Sequence, residues 1–353
     1  PMPPIARRAD DTDRPRWDDF VASHPEADIL QAWGWGECTA LPGEPPLRIL
    51  VEDGGHIRGI AQALMRPAGF GKQVAYVPHG PVWDRSAQDA DRVFAWLIQG
   101  LRTLARKEKA LVVKMDPRAD LGVPIDFAAL ATEHELRRAP DLQAPTTRIV
   151  DLLDGGEQLE ASWHADARRL MRRAEREGTQ VTIAREPEEA DIQVLHDLLA
   201  DVGEHADFRV RSPEFLTRLA TEFAKTGGWY LGIARVDGTP IATMAFPRVG
   251  DRAYYLYGAL LRDEKYKHNY GSHAVMAAML KALAADGCRS VDMWGVVEPD
   301  DPDADPAWKG FSDFKRTFGG EFLRHPGLYD LVTDRLWYGL RSIRTRVSAF
   351  LSR

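Results

Sequence analysis

LRILVEDGGHIRGIAQALM, residues 47–65, reads as a strand (Leu47–Asp53), a hairpin turn at Gly54-Gly55 and a second strand over 57–65. Residues 74–77 form a third strand. A helix over 88–106 follows, with Phe94, Leu97, Leu101 and Leu104 at three- and four-residue spacing, and then a buried strand over 111–115 that Asp116-Pro117 ends. The same order returns later in the chain: strand 229–236, turn Asp237-Gly238, strand 241–249, turn Gly250-Asp251 and strand 253–257. A helix again comes next, with Ser272 as its expected N-cap, Val275, Met279 and Leu283 inward and a stop at Gly287 before strand 290–294. Gly80 and Gly258, and likewise Ala110 and Cys288, stand at the same separation of 178 residues, so the two copies align without a gap. Helices precede each copy, at 14–23 in the first and at 192–202 and 213–225 in the second.

Three antiparallel strands, a helix and a further strand are the core order of the N-acetyltransferase-like (GNAT) fold. The expectation is an α/β (α+β) protein with two such domains in tandem, each a mixed, mostly antiparallel sheet flanked by helices. Fold alone assigns no chemistry. Coenzyme A pyrophosphate is usually held on a Gly-rich turn at a helix N-terminus. The two helix entries, PVWDRSAQDADR and KHNYGSHAVM, offer little beyond Gly271, so acetyl-CoA is not the favoured donor and no cofactor is expected.

At 353 residues the chain exceeds one ordinary domain. Its 44% hydrophobic and 28% charged residues are those of a globular protein. A net charge of -7 argues against a general nucleic-acid coat and confines any RNA site to a local patch. Cys38 and Cys288 have no Cys or His neighbour at metal-ligand spacing, so neither a disulfide framework nor a metal site is expected. The start, PMPPIARRADDTDRPRW, has no apolar signal core and no stretch approaches a membrane span, which sets the expectation of a cytoplasmic protein, taken as a monomer.

Seven segments in order carry a family resemblance: LQAWGWGE (30–37), YVPHGPV (76–82), RRLMRRAEREGTQV (168–181), YYLYGA (254–259), NYGSHAVMAAML (269–280), GCRSVDMWGV (287–296) and FSDFKRTFGGEF (311–322). Over almost the whole chain it resembles the FemABX family of non-ribosomal peptidyltransferases, which add bridge amino acids to the peptidoglycan stem. The resemblance implies a first domain of residues 1–150 completed by 316–353 and a second of 151–315. The run 213–229 leaves no room for the long helical hairpin of some members, so this is the compact form. The implied reaction takes Gly, Ala or Ser from aminoacyl-tRNA to the stem-peptide amine of a peptidoglycan precursor, either UDP-MurNAc-pentapeptide or lipid II.

Read locally, FSDFKRTFGG is a strand and turn whose Phe311, Phe314 and Phe318 fill a core while Lys315 and Arg316 are solvated. The resemblance instead puts Lys315 at the reaction centre with Phe314 beside it, where a fixed cation would stabilise the oxyanion of ester aminolysis. Asp116 matches an Asp-Pro near the family's substrate site and is a candidate base; locally it is a strand-ending residue capping a turn. In FRVRSPEF, Arg209 and Arg211 precede a helix start, where a diphosphate is favoured. The family's arginine against the acceptor diphosphate, with an aromatic four residues on, corresponds to Arg211 and Phe215. Alternation along strand 253–257 would put Tyr255 and Tyr257 on one face, and the resemblance places a tyrosine of this strand at the acceptor. Where the family often has a diphosphate-binding lysine this chain has Thr39, and where it reads PRGP this chain has His79, read as a loop residue.

Two stretches are strongly basic. Arg168, Arg169, Arg172, Arg173 and Arg176 share a helix with Asp166, Glu175 and Glu177, as a solvated face would. Residues 335–353 carry five arginines and no acid beside Leu336, Trp337, Leu340, Ile343, Val347 and Phe350, which suits packing on the first domain, the tRNA acceptor arm or peripheral contact with the inner membrane face. Competing readings are an acyl-CoA-dependent or protein N-terminal acyltransferase on the same scaffold, a non-catalytic precursor-binding protein, and a general RNA-binding module, the last disfavoured by net charge.

Overall fold

The computed structural model describes residues 5–119, 126–152, 155–206, 210–298 and 306–342. The chain divides into two compact units, 1–145 with 324–353, and 146–323.

The first unit is built on an eight-stranded sheet among the described residues. Its strands are β1 (Ile5–Arg8), β2 (Leu47–Asp53), β3 (His56–Gly69), β4 (Lys72–Val77), β5 (Val82–Trp83), β6 (Ala110–Met115), β7 (Arg137–Ala139) and a returning strand, Leu328–Val332. The order is β1-β2-β3-β4-β6, then the returning strand, then β7, with β5 paired to β3. β4 and β6 run parallel, joined by the helix Ala90–Lys107, and the other pairs given for this unit are antiparallel. That helix turns Val93, Phe94, Leu97, Ile98 and Leu101 onto the sheet, against Ile49, Val51, Ala61 and Val113. Burial of each such side chain stabilises the fold by about 1.5–3 kcal/mol.

The second unit has β8 (Thr146–Asp151), β9 (Gln180–Ala184), β10 (Leu231–Val236), β11 (Thr239–Ala245), β12 (Arg248–Val249), β13 (Arg252–Tyr254), β14 (Tyr257–Leu260), β15 (Ser290–Asp292) and β16 (Glu321–Arg324). They form two sheets, β14-β11-β10-β9 and β12-β13-β15-β8-β16. The helix Gly271–Ala285 buries Val275, Met279 and Leu283 as the spacing requires, and Gly287 follows it at φ 76°. Its N-cap is Tyr270, in the left-handed region, not Ser272. Gly271 has a packing role, since a Cβ there would lie 3.0 Å from Ala242 and Ile241.

Two single strands of the sequence reading are each divided. Pro247, which has no N–H for a ladder, separates β11 from β12, so 241–249 is not one strand. The third strand breaks at Tyr255-Leu256, which sends β13 and β14 into different sheets. Tyr255 and Tyr257 therefore do not share one face by alternation.

The unit boundaries also differ from those read in the sequence. The second unit begins at Thr146, because β8 pairs with β15, and runs to Leu323, because Phe318 is fully buried in its core with Trp163 at 5.3 Å. The GNAT fold in tandem is the architecture of the chain.

Candidate active site

The FSDFKR segment is a helix, Lys309–Arg316, not a strand and turn. Helical spacing faces Ser312, Lys315 and Arg316 toward the segment that leaves β15. Ser312 Oγ accepts from Val297 N at 2.9 Å, Lys315 Nζ donates to Gly295 O at 2.8 Å and Arg316 donates to Val297 O at 3.0 Å. Three side chains of one helix thus hold one short run of backbone. Gly319 and Gly320 follow at φ 84° and 86°, and at Gly320 a Cβ would lie 2.6 Å from Ile149 O, so only glycine makes this exit.

Lys315 is 7% exposed. Its ammonium lies 5.1 Å from the ring centre of Tyr255 and 5.0 Å from that of Phe311. Burial pulls its pKa down to about 8, against the upward pull of Asp292. Asp292 is itself buried, and accepts from Trp294 N at 2.8 Å and from the Thr147 hydroxyl. Of the three phenylalanines expected in a core, Phe318 is buried, Phe314 half-buried against His273 (5.0 Å) and Phe311 40% exposed at the rim. Burial, with Arg169 nearby, lowers the His273 pKa to about 4, so this ring is neutral at pH 7.

The strand break separates the two tyrosines. Tyr255 N donates to Asp292 O at 2.8 Å, its ring stacks on Phe246 at 5.1 Å, and burial raises its pKa. Its hydroxyl folds back over Gly258, where a Cβ would come within 1.9 Å of it. Tyr255 therefore stands at Lys315, while Tyr257 begins β14 and pairs with Ala245. Arg211 is exposed, with its guanidinium 4.9 Å from the ring centre of Phe215, and Ser212 caps the helix Pro213–Ala224. Arg209 lies outside the described residues.

Asp116, in the first unit, terminates β6 and is buried. It accepts from Tyr76 Oη and from His79 N, both at 2.7 Å. Burial raises its pKa to about 6, opposed by His79 and by the Tyr76 hydrogen bond. His79 is no simple loop residue: its Nδ1 is bonded to the fully buried Asp28, with Arg118 3.6 Å from the same carboxylate. Burial alone would lower the imidazole pKa, but Asp28 outweighs it and holds His79 protonated above its ordinary range. His325 completes the cluster, 5.2 Å from His79 ring to ring, and accepts from Ala119 N at 3.1 Å. Burial, then the neighbouring cations, hold His325 well below its usual pKa and so neutral.

The LQAWGWGE segment supports this cluster. Gln31 accepts from Gln62 N at 2.8 Å and donates to Pro78 O at 2.7 Å, which fixes the loop bearing His79. Arg48 lies 3.7 Å over the Trp33 ring and pairs with Glu37 at 2.7 Å. A Cβ at Gly36 would stand 2.3 Å from Gln62 Oε1, so this glycine leaves the network its room. Thr39 closes the short helix by donating to Trp35 O at 2.7 Å, and Arg66 donates to Thr39 O at 2.9 Å.

Sequence reasoning missed Asp28, Tyr76, Arg118 and His325 in the first unit and Asp292 in the second. Each belongs to a different segment and none has a partner at fixed spacing. Only Tyr76 and Asp292 lie inside segments that carry the family resemblance, YVPHGPV and GCRSVDMWGV, and that is the signal that could have pointed to them. Among the described residues no group of His, Cys, Asp or Glu converges as a metal would require.

A family model described as an acetyltransferase (GNAT) domain matches residues 161–316. Lipid II:glycine glycyltransferases of Staphylococcus aureus (strain bovine RF122 / ET3-1) and Staphylococcus haemolyticus (strain JCSC1435) are each 22% identical to the chain, over 92% of it and 92% of their own length. The crystal structure of FemX superposes with a TM-score of 0.82 at 19% identity, covering 95% of this chain and 99% of that one. The family resemblance read from the sequence is thus matched by relatives and a solved structure that span almost the whole chain. A tandem GNAT protein from the clavulanic acid pathway is more distant, with a TM-score of 0.56 at 16% identity over 94% and 99% of the two chains. In this chain only residues 225–230 separate the helix Pro213–Ala224 from β10, so no helical hairpin is inserted there. No helix among the described residues is long and apolar enough to cross a membrane.

Proposed function

We propose that this protein is a tRNA-dependent aminoacyltransferase that moves Gly, Ala or Ser onto the stem-peptide amine of a peptidoglycan precursor. The observation that carries the reading is Lys315, a buried ammonium between two aromatic rings in a chain similar over 92% of its length to lipid II:glycine glycyltransferases. With a pKa of about 8 it stays mostly protonated at pH 7. An ammonium carries three N–H donors. One is given to Gly295 O, and the others suit an oxygen that gains charge.

In the proposed reaction the acceptor's neutral amine attacks the ester carbonyl carbon of aminoacyl-tRNA. A C–N bond forms, and the carbonyl oxygen becomes an oxyanion that Lys315 stabilises. The ester C–O bond to the terminal ribose then breaks, and the proton lost by the amine ends on the departing ribose oxygen. Asp116, ionised above about pH 6, is the candidate proton acceptor. Tyr255 and Phe311 flank the lysine, Phe314 is proposed to lie beside the reaction centre, and Arg211, with Phe215 beneath it, is proposed to meet the acceptor diphosphate.

The test pairs each charged tRNA with nucleotide-linked and lipid-linked precursor and follows a radiolabelled amino acid, with and without ribonuclease and with acetyl-CoA offered separately. Transfer that ribonuclease abolishes is expected. Transfer that survives ribonuclease, or comparable acetylation, would overturn the donor assignment.

A further inference from the structure

The tip of the β3–β4 hairpin in the first unit is built from three successive residues at positive φ, Gly69 (86°), Phe70 (52°) and Gly71 (67°). Glycines accept this conformation freely and phenylalanine does not, yet the residue held there is Phe70, 87% exposed. Its ring lies 5.5 Å from that of Trp337, on the helix Arg335–Ser342, where Leu336 is 71% exposed. These are the two most exposed large apolar side chains among the described residues. The inner side of the helix is accounted for: Trp337 and Tyr338 pack on Val74, Leu111 and Val112, and Tyr338 Oη donates to Asp330 at 2.8 Å. Phe70 and Leu336 take no part in that packing.

The surrounding charge decides what would cover them. Lys72 is 5.8 Å from the Trp337 ring and pairs with Asp334 at 2.8 Å, Arg106 donates to Thr333 O at 3.4 Å, and Arg335 meets Glu135 at 3.7 Å. The local acids are thus matched by local cations. The sequence 335–353 then adds arginines with no Asp or Glu, although the whole chain is acidic. An exposed Phe and Leu beside a tryptophan, at the start of a stretch whose sequence carries arginine and no acid, have the composition of a segment that rests in a bilayer interface: apolar side chains enter the acyl boundary, the indole sits at headgroup level and cations meet anionic lipid. An RNA surface would use the cations but leave Leu336 exposed.

We infer that Phe70, Leu336 and Trp337 form a docking surface for an anionic lipid bilayer. The inference rests on the proposed function in one respect only, that a lipid-linked acceptor would be met at such a surface.

Sedimentation with vesicles of phosphatidylcholine alone, and with about one third phosphatidylglycerol, tests the surface without any turnover. The full chain is expected to partition onto the anionic vesicles, weakly onto neutral ones, and less as salt rises. The double variant Phe70→Ser, Leu336→Ser changes only exposed side chains and is expected to lower that partition at least tenfold. Its transfer to nucleotide-linked precursor should stay within twofold of the parent, which also certifies folding, while transfer to vesicle-borne precursor falls. No partition by the parent, or equal partition by the variant, would overturn the docking surface. Absence of transfer to both precursors, with vesicle binding intact, would instead count against the proposed function.

Discussion

The two units follow one plan and use it for opposite electrostatics. In each, the third strand breaks: its first part pairs in parallel with the strand after the helix, and its second part pairs with the second strand. In each, a backbone N–H at the break donates to the exit of the parallel strand, His79 N to the Asp116 carboxylate and Tyr255 N to Asp292 O. The first unit fills this junction with alternating charges, Asp116, His79, Asp28 and Arg118, which compensate one another. The second brings one lysine from a later helix and sets it between two rings, with Asp292 as its nearby carboxylate. A compensated cluster holds its geometry, because removing one member strands another buried charge. Lys315 gives one N–H to Gly295 O and has Asp292 as its nearby carboxylate, which leaves N–H donors to meet new negative charge. The plan is shared, and what is delivered to the strand junction differs.

The contrast is broken most directly at Lys315. Lys315→Ala should lower turnover by about 10² to 10³, the usual loss for an oxyanion donor, while acceptor affinity changes less than threefold. Equal losses in both would make Lys315 a binding residue. Arg211→Ala should do the reverse, raising the acceptor dissociation constant by about 1.5–3 kcal/mol, read by calorimetry with precursor alone.

The pH profile sharpens the comparison. Turnover should rise through about pH 6 as Asp116 ionises and fall above about pH 8 as Lys315 loses its proton. Asp116→Asn should remove the acid limb only. An acid limb that persists in this variant would exclude Asp116 as the base.

The two junction glycines offer a smaller and parallel test. At Gly258 a Cβ would strike the Tyr255 hydroxyl, and at Gly80 it would lie 2.8 Å from Val77 and 2.9 Å from Gln31. Each Gly→Ala change should cost about 1–3 kcal/mol in denaturant unfolding. Gly258→Ala should also slow turnover by shifting Tyr255 from Lys315.

The smallest effect expected is that of His325→Gln, whose amide oxygen can still accept from Ala119 N. A histidine held neutral in the fold binds fewer protons than its unfolded form below about pH 6.5, so its contribution to stability is lost as pH falls through that value. The parent should therefore lose more melting temperature than the variant between pH 7.5 and 5.5, by a few degrees. A constant difference would show that His325 does not titrate with unfolding.

Much of the plan was legible because it is local. The first hairpin, the helix after it and the apolar face of the helix Gly271–Ala285 each follow from periodicity and turn residues within one window. Where the reading failed, a tertiary requirement overrode the local pattern. Residues 253–257 look like a continuous strand, but Tyr255 leaves the ladder to lie over Gly258. Pro247 did carry a local signal for its break. FSDFKR has too few residues for its period to distinguish helix from strand, and the requirement that Ser312, Lys315 and Arg316 meet one backbone run is invisible in sequence. The Asp116 cluster gathers side chains from 28, 79, 118 and 325, which no spacing rule connects.

The strand Leu328–Val332 lies between β6 and β7 in the first unit's sheet, with Tyr329 opposite Met115 and Lys114 paired to Asp330 at 2.7 Å. During synthesis on the ribosome, residues 146–323 emerge as one contiguous piece and can fold while the first unit still lacks the strand that joins β6 to β7. The unit that is translated first is therefore the one completed last. Until residue 332 has left the exit tunnel, β6 presents an unpaired edge and Ala119 has no His325 to bond, so the cluster around Asp116 is assembled only after the lysine pocket.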